Sequence, residues 1–175
     1  MRHTIDSKSP LLASLVLLAS FIITFALMVP ANAQSPDDWK TKLTAEERSA
    51  ISKPDNPNDR MKTFARLAES RLKSARDYLT RDDYTGANEQ IIGYAALVSE
   101  VGEFSKVAVP KRNKAHKTLE LSLREQSRSL EAIRRDTSVN YSETVEKVMK
   151  LVGQVRRQAL NLLLGDGFLS EPDSQ

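Results

Sequence analysis

Residues 141–162 space their apolar side chains so regularly that one local structure fits them. Tyr141, Val145, Val148, Val152, Val155, Ala159 and Leu162 recur at alternating intervals of four and three. At 3.6 residues per turn this gathers them on one face of a helix, whereas a strand would scatter them over both faces. Asn140 and Glu143 stand at the spacing of a capping box, and Gly165 supplies a natural stop.

The same argument carries back along the chain. Met61, Phe64, Ala65, Ala68, Leu72, Ala75 and Leu79 form a stripe that begins just after Asn56-Pro57, a capping side chain followed by a proline at the first helical position. Asp82 or Asp83 caps the next helix, from about Tyr84 to Val107, with a stripe of Ala87, Ile91, Tyr94, Ala95, Val98, Val101 or Gly102, and Ala108. Gly93 and Gly102 weaken that helix intrinsically, so their use is to let a neighbour approach closely. Pro110 either breaks the chain into a third helix or kinks one long helix; a break is favoured, because a bundle needs the chain to reverse. The third helix carries Ala115, Leu119, Leu123, Leu130 and Ile133, with polar His116 and Gln126 on the same stripe. A short helix precedes all of these, started by the capping box Thr44 to Glu47 and ended by Pro54 and Pro57. No strand pattern competes. The expected fold is all-α: a four-helix up-down bundle with a short extra N-terminal helix, sequential helices lying antiparallel beside one another.

The first residues read differently. Arg2 and Lys8 precede an apolar run over residues 11–29, and Ala31-Asn32-Ala33 follows Pro30. A basic start, an apolar core and an A-x-A exit describe a secretory signal, which places the chain in the periplasm or outside the cell. The alternative is an uncleaved anchor, since the run is about as long as a minimal membrane span. The organisation expected is a signal peptide over 1–33, a flexible lead-in over 34–43, the helical domain over 44–169 and a loose tail over 170–175. The chain has no cysteine, so an exported domain of this kind rests on its core without disulfides. Its 26 Lys and Arg nearly balance its 23 Asp and Glu, which gives no general argument for nucleic acid as a partner.

Two stretches resemble known proteins. Residues 75–87, Ala-Arg-Asp-Tyr-Leu-Thr-Arg-Asp-Asp-Tyr-Thr-Gly-Ala, resemble the helix-turn-helix junction of tetratricopeptide repeats, although no second copy occurs at the repeat's period. The larger span 43–169 resembles a group of uncharacterised exported bacterial helical-bundle proteins. The matching residues are 114–124 (KAHKTLELSLR), 158–161 (QALN) and 165–169 (GDGFL). That resemblance implies a helical bundle in the cell envelope and carries no functional residue with it. Leu43-Thr44-Ala45-Glu46-Glu47 also resembles the Leu-Thr-x-x-Gln pattern of periplasmic helical stress chaperones, with glutamate in place of the final glutamine.

Chemistry finds little purchase. Beyond the leader His116 is the single histidine, too little for a metal site or for serine–histidine catalysis, and no Gly-x-Ser-x-Gly elbow or phosphate-binding glycine loop occurs. Met61 and His116 fall near one end of a bundle and would be the axial pair of a haem carrier, but no C-x-x-C-H accompanies them. No enzyme, metal or cofactor is therefore expected. The one charge asymmetry is at Pro110, where Lys106, Lys111, Arg112, Lys114, His116 and Lys117 gather without an acid. Cations at a helix start oppose its macrodipole, so helix stability does not account for them. Lys106, Lys111, Arg112, Lys114 and Lys117 are the candidate binding residues for an anionic partner, with Arg156 and Arg157 nearby; a solvated basic loop is the plain alternative. The expected role is a non-enzymatic module that binds or scaffolds envelope proteins, with a periplasmic chaperone as the second reading and a haem or metal carrier as the third. Leu121, Met149, Leu151, Leu160, Leu163 and Leu164 lie beside the seams and fit either the core or a homodimer face.

Overall fold

The capping signals act where the residues place them. A computed structural model describes Trp39 and residues 41–107 and 113–164. The expected signal segment, Ala108, Pro110, the Gly165 stop and the tail lie outside these residues, as do Lys111 and Arg112. In α1 (Ala45–Ser52) the Thr44 hydroxyl accepts the Glu47 N–H at 3.1 Å, and the Glu47 carboxylate accepts the Thr44 N–H at 3.0 Å. In α2 (Pro57–Leu79) Asn56 Oδ1 accepts the Asn58 N–H at 2.9 Å. Asp83, not Asp82, caps α3 (Tyr84–Val107): its carboxylate accepts the Gly86 N–H at 2.8 Å. Asp82 instead takes the left-handed conformation, φ 57°, that turns the chain. After α4 (Asn113–Asp136), α5 (Val139–Leu164) starts two residues earlier than expected. Asn140 therefore lies inside its first turn rather than at the cap, and Glu143 pairs with Lys147 at 2.8 Å.

The expected stripes are the core. Met61, Phe64, Ala68, Leu72 and Ala75 of α2 are buried, as are Ala115, Leu119, Leu123, Leu130 and Ile133 of α4 and Val145, Val148, Val152, Val155 and Ala159 of α5. Helix α3 departs from a one-sided stripe, for residues 91–98 are all buried. A helix apolar all round must be covered all round, and the sequence Ile-Ile-Gly-Tyr-Ala-Ala-Leu-Val meets that description. Trp39 and Leu43, placed by the sequence in a flexible lead-in, are buried in this core at 4% and 7% exposure. A large indole and a leucine gain more from burial than a short segment of chain loses by being ordered.

Helix α2 packs against α3 and α4, α5 packs against the same two, and α1 packs on α2. Directions follow from the side chains that meet. Tyr78 touches the Gly86 position and Arg60 lies over Phe104, so α2 and α3 are antiparallel. Arg156 reaches Glu120 at 3.0 Å, while only two residues separate the end of α4 from the start of α5, so that pair is antiparallel as well. Asn58 meets Thr118 and Ala65 meets Gln126, which makes α2 and α4 parallel. Thr85 meets Tyr141 and Ser105 meets Gln158, which makes α3 and α5 parallel. Direction alternates along the chain as expected. However, α3 and α4, consecutive in sequence, are not among the principal packing pairs. The fold is two helical hairpins side by side, α2–α3 and α4–α5. Where they cross the centre, the Tyr94 hydroxyl of α3 donates to Gln126 of α4 at 3.1 Å.

The two glycines of α3 have the use expected of them. A Cβ at Gly102 would meet Val155 of α5 at 3.0 Å, and one at Gly93 would meet the Arg71 guanidinium at 3.0 Å. That guanidinium joins three helices. Its Nε and Nη2 donate to the Glu47 carboxylate of α1 at 2.8 and 2.9 Å, and its Nη1 donates to Gln90 of α3 at 2.9 Å.

Candidate functional site

The parallel arrangement brings the start of α2, the end of α3, the start of α4 and the end of α5 to one end of the molecule. The basic residues singled out by the sequence belong here, and the structure sorts them. Lys114 and Lys117 are exposed in the first turns of α4 and make no ion pair among the described residues. Lys106 is less free than its acid-free surroundings in sequence suggest, because one helical turn brings Glu103 to it at 3.1 Å. Arg156 is also committed, donating to Glu120 at 3.0 Å, with Arg124 a further 3.9 Å from the same carboxylate. Arg157 remains exposed and unpaired among the described residues.

Two apolar side chains stand out at this end. Val107, the last residue of α3, is 81% exposed, and Leu164, the last of α5, is 51% exposed. Sequence reasoning missed Val107, although it immediately follows the first lysine of the basic run. The sequence places Leu164 only beside a seam. Leu121, 41% exposed, faces solvent farther along α4, while Met149 and Leu151 pack against the core.

Beneath the surface this end is polar. Gln158 of α5 donates to the Gly102 carbonyl at 2.9 Å and to the Ser105 hydroxyl at 2.8 Å; Ser105 in turn donates to the same carbonyl. Ser105 is fully buried and tied to backbone, which withholds it from nucleophilic chemistry. Met61 and His116 each lie near the start of their parallel helices, at the same end as expected, and both are fully buried. Neither ring nitrogen of His116 has a hydrogen-bond partner. Among the described residues no three His, Cys, Asp or Glu side chains come together as metal ligands, and no helix is long and apolar enough to cross a membrane. Comparison with known proteins finds no family model, no curated protein and no solved structure that matches the chain.

Proposed function

We propose that the chain is an exported, non-enzymatic helical module that binds or scaffolds in the cell envelope, and that its basic end meets an acidic protein partner. The observation that carries this reading is the pairing of unengaged cations with exposed apolar residues at one end: Lys114, Lys117 and Arg157 beside Val107 and Leu164. Some exposed cations elsewhere on the surface close local pairs, as Lys62 does with Asp59 and Arg134 with Glu131. Apolar contacts ringed by charge suit a protein interface, the charge steering encounter and fixing orientation. The leader's composition supports export.

Affinity capture from envelope extracts at low and high salt tests the proposal. The native chain is expected to retain one reproducible acidic partner, released by salt, that a Lys114→Glu/Lys117→Glu variant fails to retain. Equal recovery by the variant moves the contact elsewhere, and no reproducible partner rejects the reading. Mass measurement of the recovered chain reports cleavage directly, an N-terminus at Gln34 being the expected result.

A further inference from the structure

Helices α2 and α4 meet closely at Asn58–Thr118 and Ala65–Gln126, and beyond that level they border an open groove of about 420 Å³. This volume is within the range of small-molecule sites, about 300–1,000 Å³. Its floor is Ala65, Leu72 and Gln126. Gln126 is 94% buried yet incompletely used: its carbonyl accepts the Tyr94 hydroxyl at 3.1 Å, while its amide nitrogen makes a single long contact with the Ala65 carbonyl at 3.4 Å. An amide nitrogen carries two hydrogens. The Ala65 carbonyl can only accept, so the amide nitrogen faces it and the amide oxygen faces Tyr94, and one N–H donor is left at the floor of the groove.

The rim is charged and unengaged. Glu69, Lys73, Arg76 and Asp77 of α2 and Glu125 of α4 are all exposed, and none makes an ion pair or side-chain hydrogen bond among the described residues. Glu69 precedes Lys73 by the same four residues that separate Glu143 from Lys147, a pair that closes at 2.8 Å. The charges are also sorted along the groove. By the Ala65–Gln126 contact Glu125 stands near that level, Glu69 lies about 6 Å past it on α2, and Lys73 and Arg76 lie about 6 and 10 Å beyond Glu69 at 1.5 Å per residue. Asp77 stands past them and would repel a carboxylate placed beyond Arg76.

We infer that this groove binds short zwitterionic peptides, with the free ammonium between Glu69 and Glu125, a backbone carbonyl on the Gln126 amide, and the free carboxylate at Lys73 and Arg76. The separation of the two charge pairs matches an extended peptide of about three residues at 3.3 Å each. The groove shares no lining residue with the basic end and does not depend on the role proposed for it.

Isothermal titration of the chain as isolated from cells, with trialanine, N-acetyl-trialanine and trialanine amide as probes, tests the assignment. Saturable binding of trialanine is expected, with each blocked peptide weaker by about two- to fivefold, the size expected for an exposed charge contact. Glu69→Gln/Glu125→Gln should abolish the preference for a free amine, and Lys73→Gln/Arg76→Gln the preference for a free carboxylate. These residues are exposed, and circular dichroism will confirm that the variants remain folded. No saturable heat, equal affinity for all three peptides, or variants that keep both preferences would each overturn the inference.

Discussion

Arg71 shows how much one side chain can decide. It holds α1 by a two-pronged ion pair with Glu47 and reaches α3 through Gln90, with both charged groups largely out of water, at 19% and 11% exposure. Removing one member strands the other, so Arg71→Ala should lower stability by about 2–3 kcal/mol in urea unfolding. Burial by itself would raise the Glu47 carboxyl, but hydrogen bonds from Arg71 and from the Thr44 N–H, with the Arg71 charge, outweigh it and hold the group below its ordinary value of 4.5. A folded-state value below the unfolded one means that the stabilisation is fully present above pH 4.5 and is lost as pH falls through the lowered value. Acid titration followed by Trp39 fluorescence should therefore show loosening only below that range. A Glu47→Gln variant with the same acid midpoint would refute the assignment. His116 makes the opposite case: its buried ring nitrogens find no partner, so replacing it with an apolar side chain removes an unsatisfied group. His116→Leu is expected to leave thermal stability unchanged or raise it by about 1 kcal/mol. A clear loss would show that the ring holds a partner in solution.

At the scale of the helix, glycine positions separate local propensity from packing. Gly153 has open space where a Cβ would go, so Gly153→Ala should raise stability by about 0.5–1 kcal/mol through helix propensity alone. The same change at Gly102 drives a methyl toward Val155 at 3.0 Å, and the resulting crowding should cancel or reverse the gain. Parallel thermal melts of the two variants compare these directly; equal gains would show that the α3–α5 contact has slack. Gly86 marks the sharpest requirement, since a Cβ there would lie 2.6 Å from the Tyr78 ring. The Tyr78 ring closes over Gly86 and Asp83 caps α3 after the turn, so the two helices reverse tightly. The Tyr78–Gly86 contact was not legible in the sequence, whereas the acidic cap was, because it acts between residues close in sequence. The start of α5 was not, because Asn140 and Glu143 fit a cap by spacing while the chain begins the helix at Val139, which is left 89% exposed.

At the scale of the whole molecule, the buried Tyr94–Gln126 hydrogen bond is among those that cross between the hairpins. Burial pushes the Tyr94 phenol far above its usual range, so it remains a neutral donor to Gln126 at every ordinary pH. Tyr94→Phe leaves the Gln126 carbonyl unpaired in the core and should cost about 1–2 kcal/mol. At the ordinary entropy of unfolding this is a fall of several degrees in Tm. An unchanged melting temperature would mean that water or a shifted Gln126 replaces the bond. The parallel placement of α2 beside α4 sets both candidate surfaces: it collects the basic residues of α4 with the ends of α3 and α5, and it opens the groove past Ala65.

Sequence alone determined the all-helical class, the beginnings of α1 and α2, the faces that α2, α4 and α5 bury and the close approaches at Gly93 and Gly102. Caps act over three or four residues, and a stripe of apolar side chains states which face must leave water. Only the tertiary structure decided what those faces meet. A stripe says that Tyr94 and Gln126 are turned inward, but not that they meet across the centre while α3 and α4 avoid lying side by side. Nor could it pair Arg71 with Glu47 or Arg156 with Glu120, bury Trp39, or leave the groove charges unengaged, because burial is written into each segment and partnership arises only when segments pack.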